Sequence, residues 1–127
     1  SINGDVKVWI DKAESLVYPD AMVICGEIIT ADVDIHSVIN PVLIVEVLSK
    51  STESYDRGDK FHKYCSLSSF QEYILIDQQK PVIDILYKVE IGSWKMHTKM
   101  GLNESIYLNT LKSAIPIENS RFKSSTI

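Results

Sequence analysis

Apolar positions along the chain fall into short runs whose period changes. "VKVWID" (residues 6–11) alternates as a strand does, and "PDAMVIC" (19–25) reads as a second strand. "GEIITADVDIHSVIN" (26–40) is mixed, a short strand or a wide loop punctuated by Gly26 and by Asn40-Pro41. "PVLIVEVLS" (41–49) is apolar on both faces, as a central strand covered on both sides would be. In "KSTESYDRGDKFHKYCSLSSF" (50–70) the period becomes helical, with Phe61, Tyr64, Cys65 and Leu67 or Ser68 recurring on one side. Ser51, Thr52 and Ser54 offer oxygens for an N-cap, so the pattern predicts one helix over about 54–66. Gly58 lies within its first turns, at a propensity cost of roughly 1 kcal/mol. "FQEYILID" (70–77) is the next strand, and "PVIDILYK" and "WKMHTKM", separated by "VEIGS" with its Gly92-Ser93 turn signal, form a hairpin. The tail has one short apolar run and then turns polar, with its last residues expected to be loosely held. The order of strands, helix and strands predicts an α+β domain built on one mixed central sheet, with residues 1–127 forming a single domain.

One residue breaks this pattern. Glu46 stands in the strand Val42-Leu43-Ile44-Val45-Glu46-Val47-Leu48, sharing a face with Val42, Ile44 and Leu48. A charge inside an apolar sheet costs several kcal/mol unless it is paired, protonated or bound to a cation. Upstream, "YPD" puts Asp20 at the start of the equally apolar "AMVIC". Two strand carboxylates repel unless a hard cation lies between them, and Mg²⁺ takes one or two carboxylates together with waters and substrate phosphates. Taken alone, Asp20 is also a common strand opener after a proline, and Glu46 also suits a lysine-paired or edge-facing position. In the helical segment, Asp56, Lys60 and Tyr64 follow at i, i+4 and i+8 on one stripe, with Lys63 beside it. A solvated ion pair of roughly 0.3–0.5 kcal/mol and a tyrosine at the core edge would explain that stripe, but not Glu46.

Composition narrows the setting. At 127 residues and 45% hydrophobic the chain can bury a real core. A net charge of −4 argues against a broadly basic nucleic-acid surface, though a cleft that holds divalent cations is acidic for its own reasons. Cys25 and Cys65 read as free, buried thiols. His62 and Cys65, at i, i+3, lack the second ligand pair of a zinc site. With no apolar stretch of membrane-spanning length and no secretory signal, the expectation is a cytoplasmic protein without a membrane partner.

Four segments carry a resemblance: "YPDAMVICG", "PVLIVEVLSKST", "YDRGDKFHKY" and "FQEYILID", in this order from Tyr18 to Asp77. Together they resemble the Uma-type endonuclease family, long grouped as a domain of unknown function and similar to the PD-(D/E)XK restriction-endonuclease superfamily. The resemblance implies a restriction-endonuclease-like core and a metal-dependent phosphodiesterase. Asp20 matches the superfamily aspartate, and Glu46 the acidic residue of the (D/E)XK element. Two residues on, the superfamily has lysine where this chain has Leu48. The family pattern implies that the amine comes from the following helix, which matches Lys60, with Asp56 and Tyr64 as accompanying positions. Lys50 is the alternative lysine, but four strand residues place its Cα roughly 13 Å from that of Glu46, near the limit of a lysine stem.

What the resemblance implies is hydrolysis of nucleic acid, DNA above RNA, with Mg²⁺ as cofactor and Mn²⁺ as its substitute. Asp20, Glu46 and the Val47 backbone carbonyl would hold the metal, and Lys60 would orient water or stabilise developing charge. Family members open with a helical portion that this chain lacks ahead of its first strand, which implies an N-terminally truncated copy. Restriction-type relatives imply a homodimer, although no segment marks an interface. The competing expectation is a catalytically degenerate module that keeps the fold and binds nucleic acid or a protein. The acidic balance favours that module; the joint presence of Asp20, Glu46 and Lys60 favours the nuclease.

Overall fold

The structure, a computed structural model, describes residues 7–101 and the backbone of 105–108 and 113–116. In chain order the elements are β1 (Lys7–Ile10), β2 (Ser15–Val17), β3 (Ala21–Val23), β4 (Thr30–Ala31), β5 (Asp34–Val38), β6 (Leu43–Leu48), α1 (Glu53–Arg57), α2 (Asp59–Cys65), β7 (Glu72–Asp77), β8 (Val82–Glu90), β9 (Ser93–Met100), β10 (Ser105–Leu108) and β11 (Ser113–Pro116).

The α+β class and the mixed sheet hold, but that sheet is not alone. The strands divide into a four-stranded sheet, β2-β1-β5-β4, a five-stranded sheet, β3-β6-β7-β8-β9, and a β10-β11 ribbon. The division follows from the hairpin β1–β2, which takes up the first apolar alternation, and from residues 30–38, which supply two strands where the sequence left loop and strand open. β2 and β4, three and two residues long, are too short to announce themselves by periodicity.

The five-stranded sheet is the mixed one. β6 runs parallel to β7 and every other neighbouring pair is antiparallel. A parallel pair needs a crossover, and α1 and α2 provide it. β6 lies inside the sheet, with Val47 its only residue that is not buried, which accounts for its unbroken apolar run.

Alternation sorts the side chains as expected. Ile44 and Leu48 of β6 join Val8, Ile10, Val17, Val38, Met22, Tyr73, Leu75 and the helix residue Tyr64 in one cluster, so the first sheet and the helices share a core. Leu43 and Val45 point the other way, into a second cluster with Ala21, Val23, Ile74, Ile76, Ile83 and Ile85. Each fully buried aliphatic side chain contributes about 1.5–3 kcal/mol. An aromatic group, Phe61, Tyr64, Phe70, Tyr73 and Trp94, packs α2 onto the sheet with ring centroids 5.1 to 6.2 Å apart.

The predicted single helix is two. It breaks at Gly58, whose backbone sits at φ −109°, ψ −100° and donates to the carbonyls of Ser54 and Tyr55. A Cβ there would meet the Ser54 carbonyl oxygen at 3.0 Å, so glycine permits a bend that lets α2 restart on its own line. Thr52 is the N-cap residue of α1, but its hydroxyl meets Ser49 and caps no helix N–H. Cys65 is half-buried and Cys25 is exposed, correcting the expectation of two buried thiols; β3 stops at Val23, two residues short of Cys25. The expectation for the polar tail lies outside the described residues.

Candidate active site

Strand register sets the site. Glu46, Leu75, Asp84 and Thr98 are paired across β6, β7, β8 and β9, so they form one row on the helix-bearing face. Glu46 is 1% exposed and Asp84 7%. Each buried carboxylate meets a cation from the crossover, Lys60 for Glu46 and Arg57 for Asp84.

Three groups converge on the Glu46 carboxylate. Its Oε2 lies 2.8 Å from the Lys60 Nζ and accepts from the Tyr64 hydroxyl at 3.0 Å. Its Oε1 accepts from the Asp20 backbone N–H at 3.3 Å. Pairing between β3 and β6 ends at Ala21↔Val45, and from there side chains continue it. The Asp20 Oδ2 accepts from the Val47 N–H at 2.7 Å while Glu46 takes the Asp20 N–H, so each carboxylate closes a backbone donor of the other strand. The exposed Asp20 and the buried Glu46 are thereby fixed side by side.

Lys60 lies on α2, two residues after the turn at Gly58, and its amine reaches Glu46 and the segment ahead of β3. Its amine also donates to the Tyr18 carbonyl at 3.1 Å and stands 3.7 Å from the Asp56 Oδ1. Asp56 is buried on α1, and its backbone carbonyl accepts from the Tyr73 hydroxyl at 2.7 Å. Asp20, Glu46, Val47, Asp56, Lys60 and Tyr64 are therefore gathered in one place. Lys50 is not among them: it is exposed after β6 and lines a separate hollow with Ser49, Glu53 and Asp77.

Burial dominates the electrostatics. It pushes the Glu46 carboxyl up to about 7, against the opposing pull of Lys60. Burial also raises Asp56, with Lys60 again opposing. The Tyr64 phenol lies well above its usual range because it is buried beside the Glu46 carboxylate. A carboxyl poised near neutrality in a packed sheet is a hallmark of functional sites, although structural ion pairs also produce such shifts.

The donors suit a hard divalent cation. Both side chains offer oxygen alone, Asp20 is solvent-exposed, and Glu46 uses three of its roughly four lone-pair sites. Among the described residues no three His, Cys, Asp or Glu side chains converge. Two carboxylates would need water and substrate oxygens to complete a coordination shell, a donor set that Mg²⁺ accepts.

Sequence reasoning missed the carbonyl of Tyr18, the hydroxyl of Tyr73 and the Arg57–Asp84 pair. Arg57 donates to Asp84 Oδ2 at 2.7 Å and to Glu53 at 2.8 Å, while Thr98 donates to Asp84 Oδ1 at 2.7 Å. Asp84 did carry a signal, being a second lone acid inside an apolar strand, "VIDIL".

A family model described as "Uma2: Putative restriction endonuclease" matches residues 1–117. The chain belongs to the Uma2 family. Two uncharacterised Synechocystis sp. proteins are similar to this Uma2 chain. One is 39% identical over 109 residues, 86% of this chain and 62% of that protein. The other is 36% identical over 92 residues, 72% and 47% respectively. The chain thus spans less than two thirds of either relative. A crystal structure from Anabaena variabilis, described as a putative nuclease belonging to DUF820, superposes with a TM-score of 0.65 over 91% of this chain and 64% of its own, at 11% identity. At that identity the likeness is one of fold, and it places the Uma2 chain on a nuclease-like fold.

Proposed function

We infer that this Uma2 chain is a divalent-metal-dependent nuclease that hydrolyses DNA phosphodiester bonds, with Mg²⁺ as the working ion and Mn²⁺ as a substitute. The observation that carries the reading is the Lys60 amine 2.8 Å from Glu46 Oε2, which supplies from a helix the amine that Leu48 cannot. Asp20 and Glu46 would hold the metal together with the Val47 carbonyl, whose residue is tied to Asp20 through its own N–H. When bound, the cation supplies positive charge to the phosphate and a more acidic water.

The protein's own residues do the positioning. Glu46 in its deprotonated form is a ligand and an acceptor for the Lys60 amine. Lys60 stands ready to orient the attacking water or to donate to phosphoryl oxygens as charge develops. Asp56 and the Tyr18 carbonyl hold that amine from two further sides, and Tyr64 fixes the Glu46 carboxylate from beneath. Exposed Asp20 forms the solvent-facing side, where a phosphodiester can approach.

The test is cleavage of supercoiled plasmid and labelled oligonucleotides with Mg²⁺ or Mn²⁺, comparing the parent with Asp20→Asn, Glu46→Gln and Lys60→Met. Each variant should lose at least about 100-fold in rate, the order expected for removing one preorganised electrostatic group. Equal cleavage by all four proteins, or cleavage undiminished by EDTA, would refute it. The catalytically degenerate module is the second reading; binding without cleavage by a full-length relative would favour it.

A further inference from the structure

We propose that the substrate strand runs from the Glu46 site across Tyr55 and along Lys63 into a basic hollow beside α2, so that this face binds an unpaired nucleic-acid strand. The proposal rests on the nuclease reading and specifies its substrate.

The contacts form a chain. Lys60, bonded to Glu46, has its amine 6.0 Å from the centre of the Tyr55 ring. On the same ring the Lys63 amine stands 5.4 Å from the centre and 3.3 Å from the phenol oxygen, and it also donates to Ser15 Oγ at 3.3 Å. Tyr55 lies within α1 beside the buried Asp56, yet is itself 41% exposed. Lys63 then lines a hollow of about 350 Å³ with Lys12, Ala13, His62, Cys65 and Ser66.

Charge decides what this surface fits. The chain carries −4 overall, yet the residues around the hollow include two lysines and a histidine and no carboxylate. An acidic protein that segregates cations beside a buried carboxylate site offers a local attraction for phosphate without attracting it elsewhere. An exposed ring flanked by amines adds a stacking face, and every base has a π-face to stack on it. Stacking needs an unpaired base, which is why the strand is single. The hollow is at the small end of ligand clefts, a scale suited to one nucleotide unit.

The experiment is anisotropy of a fluorescein-labelled 15-nucleotide single strand in EDTA, titrated at several salt concentrations. Lys12→Gln and Lys63→Gln should each weaken binding and reduce the slope of log Kd on log salt by about 0.7. Tyr55→Leu should weaken binding about tenfold with the slope unchanged, and Tyr55→Phe should retain binding; both are read against thermal melts that confirm folding. Lys95→Gln is the control, since Lys95 faces Tyr87 on the side of the sheet away from the helices. The proposal is overturned if the parent does not bind, if the slope is unchanged in both lysine variants, or if Lys95→Gln matches them. It is also overturned if Tyr55→Leu binds like the parent, or if duplex of the same length binds more tightly. Binding through these residues without cleavage in Mg²⁺ would sink the nuclease reading and leave the strand track standing.

Discussion

Lys60→Met is the substitution whose cost should depend most on pH. In the parent the amine holds Glu46 at 2.8 Å, in a site where burial has already raised that carboxyl to about 7. Removing the amine removes its lowering influence, so the carboxyl climbs further. If it climbs by about two units, linkage at 1.36 kcal/mol per unit makes the variant lose about 2–3 kcal/mol more at pH 9 than at pH 5.5. At pH 5.5 Glu46 is protonated in both proteins, and what remains is the loss of the contacts to the Tyr18 carbonyl and to Asp56, roughly 1 kcal/mol. At pH 9 the total should approach the roughly 3–5 kcal/mol of a broken buried ion pair. Urea unfolding at the two pH values, without metal, reads this directly; with a slope of about 1.5 kcal/mol/M the extra loss is a midpoint shift of roughly 1.5–2 M. In a Glu46→Gln background the same substitution should lose most of its pH dependence. A cost that is the same at pH 5.5 and pH 9 would refute the idea that this pair is electrostatically coupled.

Other expectations follow from the same contacts. In the metal-free parent, burial raises the Glu46 carboxyl from its ordinary 4.5 to about 7, so the folded state binds more protons than the unfolded one between those values. Its contribution to stability, about 3 kcal/mol by the same conversion, is fully present below pH 4.5 and lost as pH rises to 7; Mg²⁺ should restore stability at pH 8 and not at pH 5, read as a shift in Tm. Tyr64→Phe removes one donor to a buried carboxylate and should cost about 1.5–3 kcal/mol in urea unfolding above pH 7, where Glu46 is charged. Asp84→Ala leaves Arg57 and Thr98 without their shared acceptor and should destabilise by about 1–3 kcal/mol, measurable by thermal unfolding. Gly58→Ala should cost about 1 kcal/mol or more, because its Cβ would press on the Ser54 carbonyl at 3.0 Å.

How much of this was legible in the chain depended on range. Glu46 announced itself because one acid among six aliphatics has no local explanation, and the alternation of β6 correctly put it with Ile44 and Leu48. The strands β1, β3, β6, β7, β8 and β9 were readable from their apolar and alternating runs. The break at Gly58 was not, since helical period continues through it and the bend shows only in the backbone, where a Cβ would meet the Ser54 carbonyl. Two sheets in place of one were also hidden: β2 and β4 are three and two residues long, and their partners are chosen by tertiary contact. Asp84 carried the same lone-acid signal as Glu46 and was passed over because its partner Arg57 is 27 residues away. The reciprocal bonds between Asp20 and the Glu46–Val47 stretch are donated by backbone N–H groups, which no side-chain pattern exposes.

On the proposed nuclease reading, Asp20 and Glu46 share one hard cation within reach of Lys60. Anomalous diffraction from crystals of the protein grown with Mn²⁺ measures this most directly. The account requires a peak with oxygens of both Asp20 and Glu46 at about 2.1 Å, the distance of such octahedral sites. A peak elsewhere, or a fully occupied Mn²⁺ bound to only one of the two carboxylates, would contradict it.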